Sequence, residues 1–220
     1  MKNITEYDRI IWDFNGTILD DLYHGIASVN ALLSRRGLPL VDSLERYYSL
    51  FGFPIEAYYR KLGLLDNEPY DSVAFEWLDE YRKGEKDLGA RRGVPELLSA
   101  IKEAGVKQSV LSATESTMLH QQIGYLKFDH YFDSLLGRED IFATNKSGIA
   151  IAFRQSHPTE RVLMIGDTDH DYETAKAASF DCVLVGGGHQ SLDYLMTLGC
   201  DTVPDFETLK GCLFADGMDH

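Results

Sequence analysis

Asp13 stands at the end of a short apolar stretch, in the string IIWDFNGTILDD that spans residues 10–21. The run from residue 10 to residue 12 is typical of a buried strand, so Asp13 falls where a strand ends and a turn begins. A carboxylate in that place could attack phosphorus and form an acyl phosphate, which divides one difficult displacement into two easier ones. Gly16 permits the close backbone approach that such a turn needs. Alone, this string is weak evidence, because aspartate is also common in ordinary turns.

Two further segments contain groups that could bind a phosphoryl group. Ser112, in SVLSATES, follows an apolar run and precedes a helix that we predict to begin near Ser116. Its hydroxyl and the N–H of Ala113 could hold a phosphoryl oxygen. Lys146, in ATNKSG, could offset negative charge on a carboxylate nucleophile and on the transferred group. A helix-capping segment and a solvated surface lysine are the ordinary alternatives.

The string MIGDTDHD, residues 164–171, places Asp167 and Asp171 four positions apart, with Asp169 between them, directly after an apolar run. Carboxylates clustered at a strand end are costly unless a cation or hydrogen-bond donors compensate them. Hard oxygen ligands near a phosphate favour Mg²⁺. Acidic residues also favour the first turn of a helix, which explains Asp169 but explains Asp167 less well.

Strand-like and helical segments alternate along most of the chain. The pattern predicts strands over residues 9–14, 107–111, 134–137, 161–165 and 181–185, and helices over residues 95–104, 116–126, 146–155 and 169–178. Apolar strands that alternate with helices favour a parallel sheet covered on both faces, whose ligands bind beyond the carboxyl ends of the strands. Four segments carry the candidate reactive residues, and each follows a predicted strand or begins the next helix. All four could therefore converge on one edge of the sheet. Their residues are Asp13, Ser112, Lys146 and Asp167.

A long interval between the first two predicted strands contains no strand-like run. Its apolar residues recur at helical spacing, as Leu22, Ile26, Val29, Leu32 and Leu33 do. We therefore predict an all-helical insertion over residues 21–91, within a core formed by residues 1–20 and 92–220. An insertion directly after the strand that carries Asp13 could cover that carboxylate as a lid. An ordinary helical subdomain is the alternative.

The charge of the chain indicates which classes of binding partner it can attract. The chain has 220 residues, and its formal net charge of -14 argues against broad attraction to nucleic acid or anionic membranes. An acidic chain can still bind a small phosphorylated metabolite through a metal ion and local N–H groups. The beginning of the chain has no signal-like apolar segment and no apolar run approaches membrane-spanning length, so we expect a cytoplasmic protein. Cys182, Cys200 and Cys212 match no zinc pattern and are expected to be incidental thiols.

Taken together, WDFNGT, VLSAT, Lys146 and IGDTDHD resemble the four motifs of the haloacid dehalogenase superfamily, and the insertion resembles the C1 cap of its phosphoglycolate-phosphatase-like branch. The resemblance implies a Rossmann-like α/β core with a parallel sheet and an inserted helical cap. It also implies a Mg²⁺-dependent phosphatase that acts on a small phosphorylated metabolite through an aspartyl-phosphate. We expect a monomer or a homodimer.

The resemblance assigns roles to the matching residues. Asp13 would be the nucleophile, and Ser112 and Lys146 would hold and neutralise the phosphoryl group. Asp20 would lie at the hinge of the cap. The implied phosphate-binding residues are Gly16, Thr17, Ser112, Ala113 and Lys146, and the implied Mg²⁺ ligands are Asp13, the backbone carbonyl of Asn15, Asp167 and, through water, Asp171.

Asn15 departs from the family pattern, because phosphatases of the family usually have aspartate there as general acid and then general base. An amide cannot exchange a proton in this way, and losing such a group costs on the order of 10²–10⁴ in rate. Three explanations stay open. Asp20, Asp21 or His24 supplies the proton, the substrate carries a good leaving group such as an acyl phosphate, or the change is a crippling one, engineered or evolved, that traps a bound or phosphorylated state.

Other functions are also open. Asn15 favours a catalytically weak protein that binds a phosphometabolite, and a phosphonatase or mutase-like relative would need a cap lysine, for which Lys61 is the candidate. The string LFGFPIEAYYRKLG contains the residues that could contact substrate: Arg60 or Lys61 for an anionic group, and Phe53, Tyr58 or Tyr59 for an apolar wall. His24 and, in GGGHQS, His189 are further candidates, although each of these side chains is more often structural.

Overall fold

A six-stranded parallel sheet forms the centre of the larger of two compact units. The structure is a computed structural model that describes residues 2–138 and 145–215, so residues 1, 139–144 and 216–220 of the predicted core lie outside it. The strand order is β3-β2-β1-β4-β5-β6, and the predicted parallel α/β fold is confirmed. The strands are β1 (Arg9–Trp12), β2 (Lys107–Glu115), β3 (Ser134–Arg138), β4 (Val162–Gly166), β5 (Asp181–Val185) and β6 (Asp201–Val203).

Strand β1 lies between β2 and β4, and all four of its residues are buried. Trp12 pairs with Val110 on one side and with Ile165 on the other, so the chain that follows β1 leaves the sheet between its two neighbours. Continuous apolar sequence in a strand covered on both faces is the pattern that predicted it. This central position carries Asp13 to the carboxyl edge of the sheet.

Three strands differ from their predictions by two residues or more. Strand β1 ends at Trp12 rather than at residue 14. Strand β2 continues past the predicted end at residue 111 to Glu115, because its pairing with β3 shifts register and resumes between Glu115 and Arg138. Ser112 and Ala113 therefore lie within the strand rather than after it. Strand β6 was not predicted, since three residues at the edge of a sheet carry too short a pattern to be recognised.

The helices of the larger unit cover the sheet. They are α5 (Val94–Glu103), α6 (Ser116–Leu126), α7 (Lys146–Ser156), α8 (Asp169–Ala177), α9 (Leu192–Leu195) and α10 (Phe206–Leu213). Helices α7 and α8 pack with β1 and β4 around a cluster that includes Ile11, Met164 and Ala175. Because each of these two helices begins at the carboxyl edge of the sheet, their first turns stand where Asp13 emerges.

The smaller compact unit comprises residues 21–88 and is entirely helical in its regular elements. Its helices are α1 (Leu22–Arg35), α2 (Leu44–Leu50), α3 (Ile55–Lys61) and α4 (Tyr70–Arg82). Val29, Leu32, Tyr47 and Val73 are among the residues that form its own apolar core. The larger unit comprises residues 1–20 and 89–220, and the function of the helical unit as a lid stays a prediction.

The helical unit is also held by ion pairs around Arg36. Its guanidinium donates to both carboxylate oxygens of Glu68, at 2.7 and 2.9 Å, and to Glu76 at 2.5 Å.

Across the described part of the chain, no helix combines the length and apolar character that crossing a bilayer requires.

Truncation of Leu32 tests the apolar core of the helical unit. Leu32→Ala removes a side chain with 0% exposure, so we expect the free energy of unfolding to fall by ~2–5 kcal/mol. Leu40→Ala is the matched control, because Leu40 is 45% exposed and its loss should change stability by ~0.5 kcal/mol or less. Urea unfolding followed by circular dichroism measures both, and equal losses would contradict this description of the core.

Candidate active site

Three buried carboxylates meet at the carboxyl edge of the sheet. Asp13 follows β1, Asp167 follows β4, and Asp171 lies in the first turn of α8. One oxygen of each lies within 4.8 Å of the others. The pairing of Trp12 with Ile165 explains the proximity, because it brings the ends of β1 and β4 side by side. The predicted convergence of Asp13, Asp167 and Asp171 is therefore present in the structure.

Lys146 joins this cluster from the first position of α7. Its side chain is 3% exposed, and its ammonium donates to Asp13 and, at 2.5 Å, to Asp171. Burial acts to lower the pKa of Lys146, but the charges of Asp13 and Asp171 together raise it above its ordinary value. The lysine is therefore a buried cation, not the solvated surface lysine that was its alternative.

Asp171 uses one carboxylate oxygen to build the turn before α8. Its Oδ2 accepts the N–H groups of Asp167 and Thr168, at 3.1 and 3.0 Å, and the Thr168 hydroxyl at 2.8 Å. Thr168 and Asp171 form a capping box, in which each side chain binds the backbone of the other. Burial acts to raise the pKa of Asp171, but Lys146 and these donors hold it below its usual range. Its second oxygen, Oδ1, binds Lys146.

Asp167 is held from two sides. The hydroxyl of the fully buried Thr17 donates to Oδ1 at 2.8 Å, and the backbone N–H of His189 donates to Oδ2 at 2.6 Å. A Cβ atom at Gly188 would overlap the Asp167 carboxylate, and one at Gly16, whose φ is +75°, would overlap both that carboxylate and the His189 ring. These glycines let two loops approach Asp167 closely. The loop of residues 186–191 is thus part of the site, because the backbone N–H of His189 binds Asp167. The side chains of the loop do not reveal this contact in the sequence.

Asn15 has a defined orientation. Its Oδ1 accepts the hydroxyl of Thr114 at 2.9 Å, which places the amide nitrogen as the donating end of the side chain. Thr114 also donates its N–H to the hydroxyl oxygen of Ser112 at 3.0 Å. Ser112 is buried whereas Ala113 is exposed. Thr114 was not among the predicted site residues, although it stands inside the VLSAT string.

Arg91 is a second site residue that sequence reasoning missed. Its guanidinium donates to the carbonyl of Gly16 at 2.7 Å and to that of Gly186 at 2.6 Å, and it stacks 5.0 Å from the ring centre of Phe206. It therefore ties the turn after Asp13 to the loop after β5. Nothing in its local sequence distinguishes Arg91 from a surface arginine, and the predicted boundary had assigned it to the helical insertion.

The other candidates for proton transfer each form a hydrogen bond within the protein. Asp20 is exposed, and its N–H donates to the carbonyl of Gly89. In the helical unit, Asp21 accepts the hydroxyl of Tyr81 at 2.8 Å. His24 Nε2 lies 2.6 Å from the carbonyl oxygen of the same tyrosine, and the two rings stack edge to face. None of these contacts assigns a proton-transfer role, which stays a prediction.

The substrate candidates also lie in the helical unit. Phe53 is 40% exposed, whereas Tyr58 and Tyr59 are buried in the apolar core. Arg60 pairs with Glu56 at 2.7 Å, and Lys61 donates to the carbonyl of Leu50 at 3.2 Å; both side chains are exposed. The burial of the two tyrosines favours a structural role for them, and the binding of substrate by Phe53, Arg60, Lys61 or His24 stays a prediction.

The charges of the cluster favour a divalent cation. Burial, with the nearby Asp171 charge, raises the pKa of Asp13 to about 8 although Lys146 acts to lower it. Burial likewise raises the pKa of Asp167. Three ionised carboxylates and one ammonium leave two negative charges uncompensated, and the available ligands are hard oxygens. The donor set therefore fits Mg²⁺, with Asp171 the least suited to direct contact because its carboxylate already accepts four hydrogen bonds, whereas that of Asp167 accepts two.

Comparison with known proteins identifies a family. A family model described as haloacid dehalogenase-like hydrolase matches residues 10–185. The chain is 25% identical to the phosphoglycolate phosphatase of Aquifex aeolicus over 90% of each protein, and 28% identical to a 5'-nucleotidase of Pseudomonas aeruginosa over 86% of this chain and 87% of that protein.

A third relative is a larger protein. Over 84% of this chain, the sequence is 24% identical to the tyrosine-protein kinase PtkA of Mycobacterium tuberculosis, of whose length it spans 64%. The solved structure of that kinase superposes with a TM-score of 0.78 at 20% identity, covering 94% of this chain and 98% of that one. At this identity the superposition establishes the fold alone.

Removal of the Asp13 charge tests the electrostatics of the metal-free site. A carboxyl whose pKa rises from 3.8 unfolded to about 8 folded opposes folding increasingly as the pH rises between those values. Asp13→Asn should therefore stabilise the chelator-treated protein, and more at about pH 8 than at about pH 5, by ~1 kcal/mol or more because one pKa unit corresponds to ~1.4 kcal/mol. Thermal unfolding at both pH values measures the difference.

Asp42→Asn is the control for this experiment, because Asp42 is exposed. It should leave the midpoint nearly unchanged at both pH values. Destabilisation by Asp13→Asn at the higher pH would show that the buried charges are already compensated by the protein itself.

Proposed function

The chain belongs to the haloacid dehalogenase-like hydrolase family, and we propose that it is a Mg²⁺-dependent phosphatase that hydrolyses a small phosphorylated metabolite through a phosphorylated Asp13. The observation that carries the proposal is the buried contact of Lys146 with Asp13 and Asp171, beside Asp167. A carboxylate nucleophile needs this compensation, because an approaching phosphate is itself an anion. The phosphatase relatives support the same reaction class.

In the first step, an oxygen of Asp13 attacks phosphorus and the bond from phosphorus to the ester oxygen breaks. Lys146 offsets the charge on Asp13 and on the phosphoryl oxygens during the transfer. The hydroxyl of Ser112 and the N–H of Ala113 are the proposed phosphate-binding groups. Gly16 and Thr17, whose own N–H groups donate to the carbonyls of Leu19 and Phe14, shape the turn beside the phosphate. The leaving oxygen takes up its proton from water, because Asn15 can donate a hydrogen bond to it but cannot release a proton.

In the second step, water attacks the phosphorus of the aspartyl-phosphate, and Asp13 and inorganic phosphate are released. A general base at position 15 would accept the proton of that water, and an amide has no such capacity. Thr114 keeps the Asn15 oxygen engaged and its nitrogen as the donor. Release of the phosphoryl group is therefore the step that Asn15 slows most.

The proposed Mg²⁺ ligands are Asp13, Asp167 and the backbone carbonyl of Asn15, with Asp171 acting through water. When bound, Mg²⁺ offsets the negative charge on the phosphoryl oxygens and on the carboxylates. Thr17, His189 and Lys146 orient the carboxylates for this purpose, since each donates to Asp167 or to Asp13 and Asp171. The helical unit is the proposed source of substrate selection.

A second candidate is a protein that binds a phosphometabolite and turns it over poorly. Asn15 and its fixed orientation favour it, because they keep the metal and phosphate groups intact while removing the proton-transfer group. A slowly hydrolysed phosphoenzyme would also permit transfer to an acceptor other than water, and one relative has the name of a tyrosine kinase. These outcomes differ from hydrolysis in the product formed.

Turnover on a panel of phosphate esters and acyl phosphates tests the proposed reaction. We expect Mg²⁺-dependent release of phosphate that chelation abolishes, and no release by Asp13→Asn. Asp169→Asn is the matched control, because Asp169 binds Gln190 and Tyr194 rather than Lys146. Undiminished release by Asp13→Asn would overturn the nucleophile assignment, and binding of phosphate compounds without release would favour the second candidate.

Substitution of Asn15 tests the proposed slow step. Asn15→Asp should accelerate hydrolysis of unactivated esters by roughly 10²–10⁴, because it introduces the missing proton-transfer group beside Thr114. The gain should be similar for acyl phosphates, because both substrate classes pass through the same phosphorylated Asp13. Asn15→Ala removes the amide without adding an acid, so it should show no gain. Equal rates for the wild type and Asn15→Asp would indicate that another residue already supplies the proton.

A further inference from the structure

Cys182 and Cys200 lie side by side on neighbouring strands. Cys182 is in β5 and Cys200 directly precedes β6, and Val183 of β5 pairs with Asp201 of β6. One residue earlier on each parallel strand, the two cysteines are therefore opposite each other, with side chains on the same face. Strands in a sheet are ~4.8 Å apart, which lies within the ~4.4–6.8 Å Cα separation of disulfide-bonded cysteines.

The Cys200 side chain contacts Cys182. Cys200 Sγ donates to the backbone carbonyl of Cys182 at 3.3 Å. The nearby Cys200 thiol and burial raise the pKa of Cys182, and the nearby Cys182 thiol lowers the pKa of Cys200. Cys200 stands directly before the first residue of β6, and both side chains are partly exposed. Because Cys200 precedes the edge strand β6, whereas Cys182 lies in β5 between β4 and β6, an oxidant reaches Cys200 first.

We propose that Cys182 and Cys200 form an oxidation site, which a small disulfide such as oxidised glutathione converts into an intramolecular disulfide. Cys200 attacks one sulfur of the oxidant and releases the first reduced glutathione. Cys182 then attacks the Cys200 sulfur of the mixed disulfide and releases the second. The two protein thiols are oxidised, the oxidant is reduced, and their two protons end on the released glutathione molecules.

The disulfide would close the segment of residues 183–199 into a loop. This segment contains Gly188 and His189, which approach Asp167 closely, and Gln190, which binds Asp169. Oxidation would thus restrict the part of the chain that orients one carboxylate of the candidate active site. The inference rests on the pairing of β5 with β6 and is independent of the proposed phosphatase activity.

Mass spectrometry of the full-length protein tests the site. After reduction, removal of the reductant and treatment with oxidised glutathione, we expect the loss of two hydrogen atoms, and a digest in which Cys182 and Cys200 peptides are joined. Only Cys212, which is exposed, should remain open to alkylation or glutathione addition. The thermal midpoint should rise by several degrees, because closing a loop of this length restricts the unfolded chain.

Two variants complete the test. Cys212→Ser should retain the two-hydrogen loss and the gain in midpoint. Cys200→Ser should abolish both and accumulate at most glutathione adducts on Cys182 and Cys212. The proposal is overturned if the wild type keeps all three thiols open to alkylation under these conditions, or if the joined peptides include Cys212.

Discussion

The buried contact between Lys146 and the carboxylates of Asp13 and Asp171 is the interaction on which the rest of the site depends. Three carboxylates within 4.8 Å of each other would repel strongly without it. Even with it, the cluster retains excess negative charge, and burial raises the pKa of Asp13 to about 8. A divalent cation would supply the missing charge and so stabilise such a site.

The fold places these charges by ordinary local rules. Strands β1 and β4 pair in register, so the residues that follow them leave the sheet together. The first turn of α8 holds Asp171 in a capping box, and the first residue of α7 is Lys146. Glycines at positions 16 and 188 admit two loops to Asp167, and Arg91 ties those loops through their carbonyl groups. Each element contributes a single group to the cluster.

The sequence predicts the site best where reactive side chains stand at the end of a recognisable strand or at the start of a recognisable helix. Asp13, Asp167 and Asp171 each follow or begin a recognisable element, so their convergence could be predicted from a parallel sheet. Thr114 and Arg91 could not, because their contacts with Asn15 and with Gly16 join segments far apart in the chain. The pairing of Cys182 with Cys200 was hidden for a similar reason, since it depends on a three-residue edge strand with almost no sequence signal.

In the proposed mechanism, Asn15 leaves the nucleophile and its charge compensation in place but supplies no base for the attack of water on the phosphorylated Asp13. The phosphorylated form of Asp13 should therefore accumulate when substrate is mixed with the Mg²⁺-loaded protein. Acid quenching followed by peptide mass spectrometry measures this most directly. We expect a hydroxylamine-sensitive phosphoryl group on the peptide that contains Asp13. Stoichiometric phosphate on a different residue, or rapid turnover with no phosphorylated protein at any time, would contradict it.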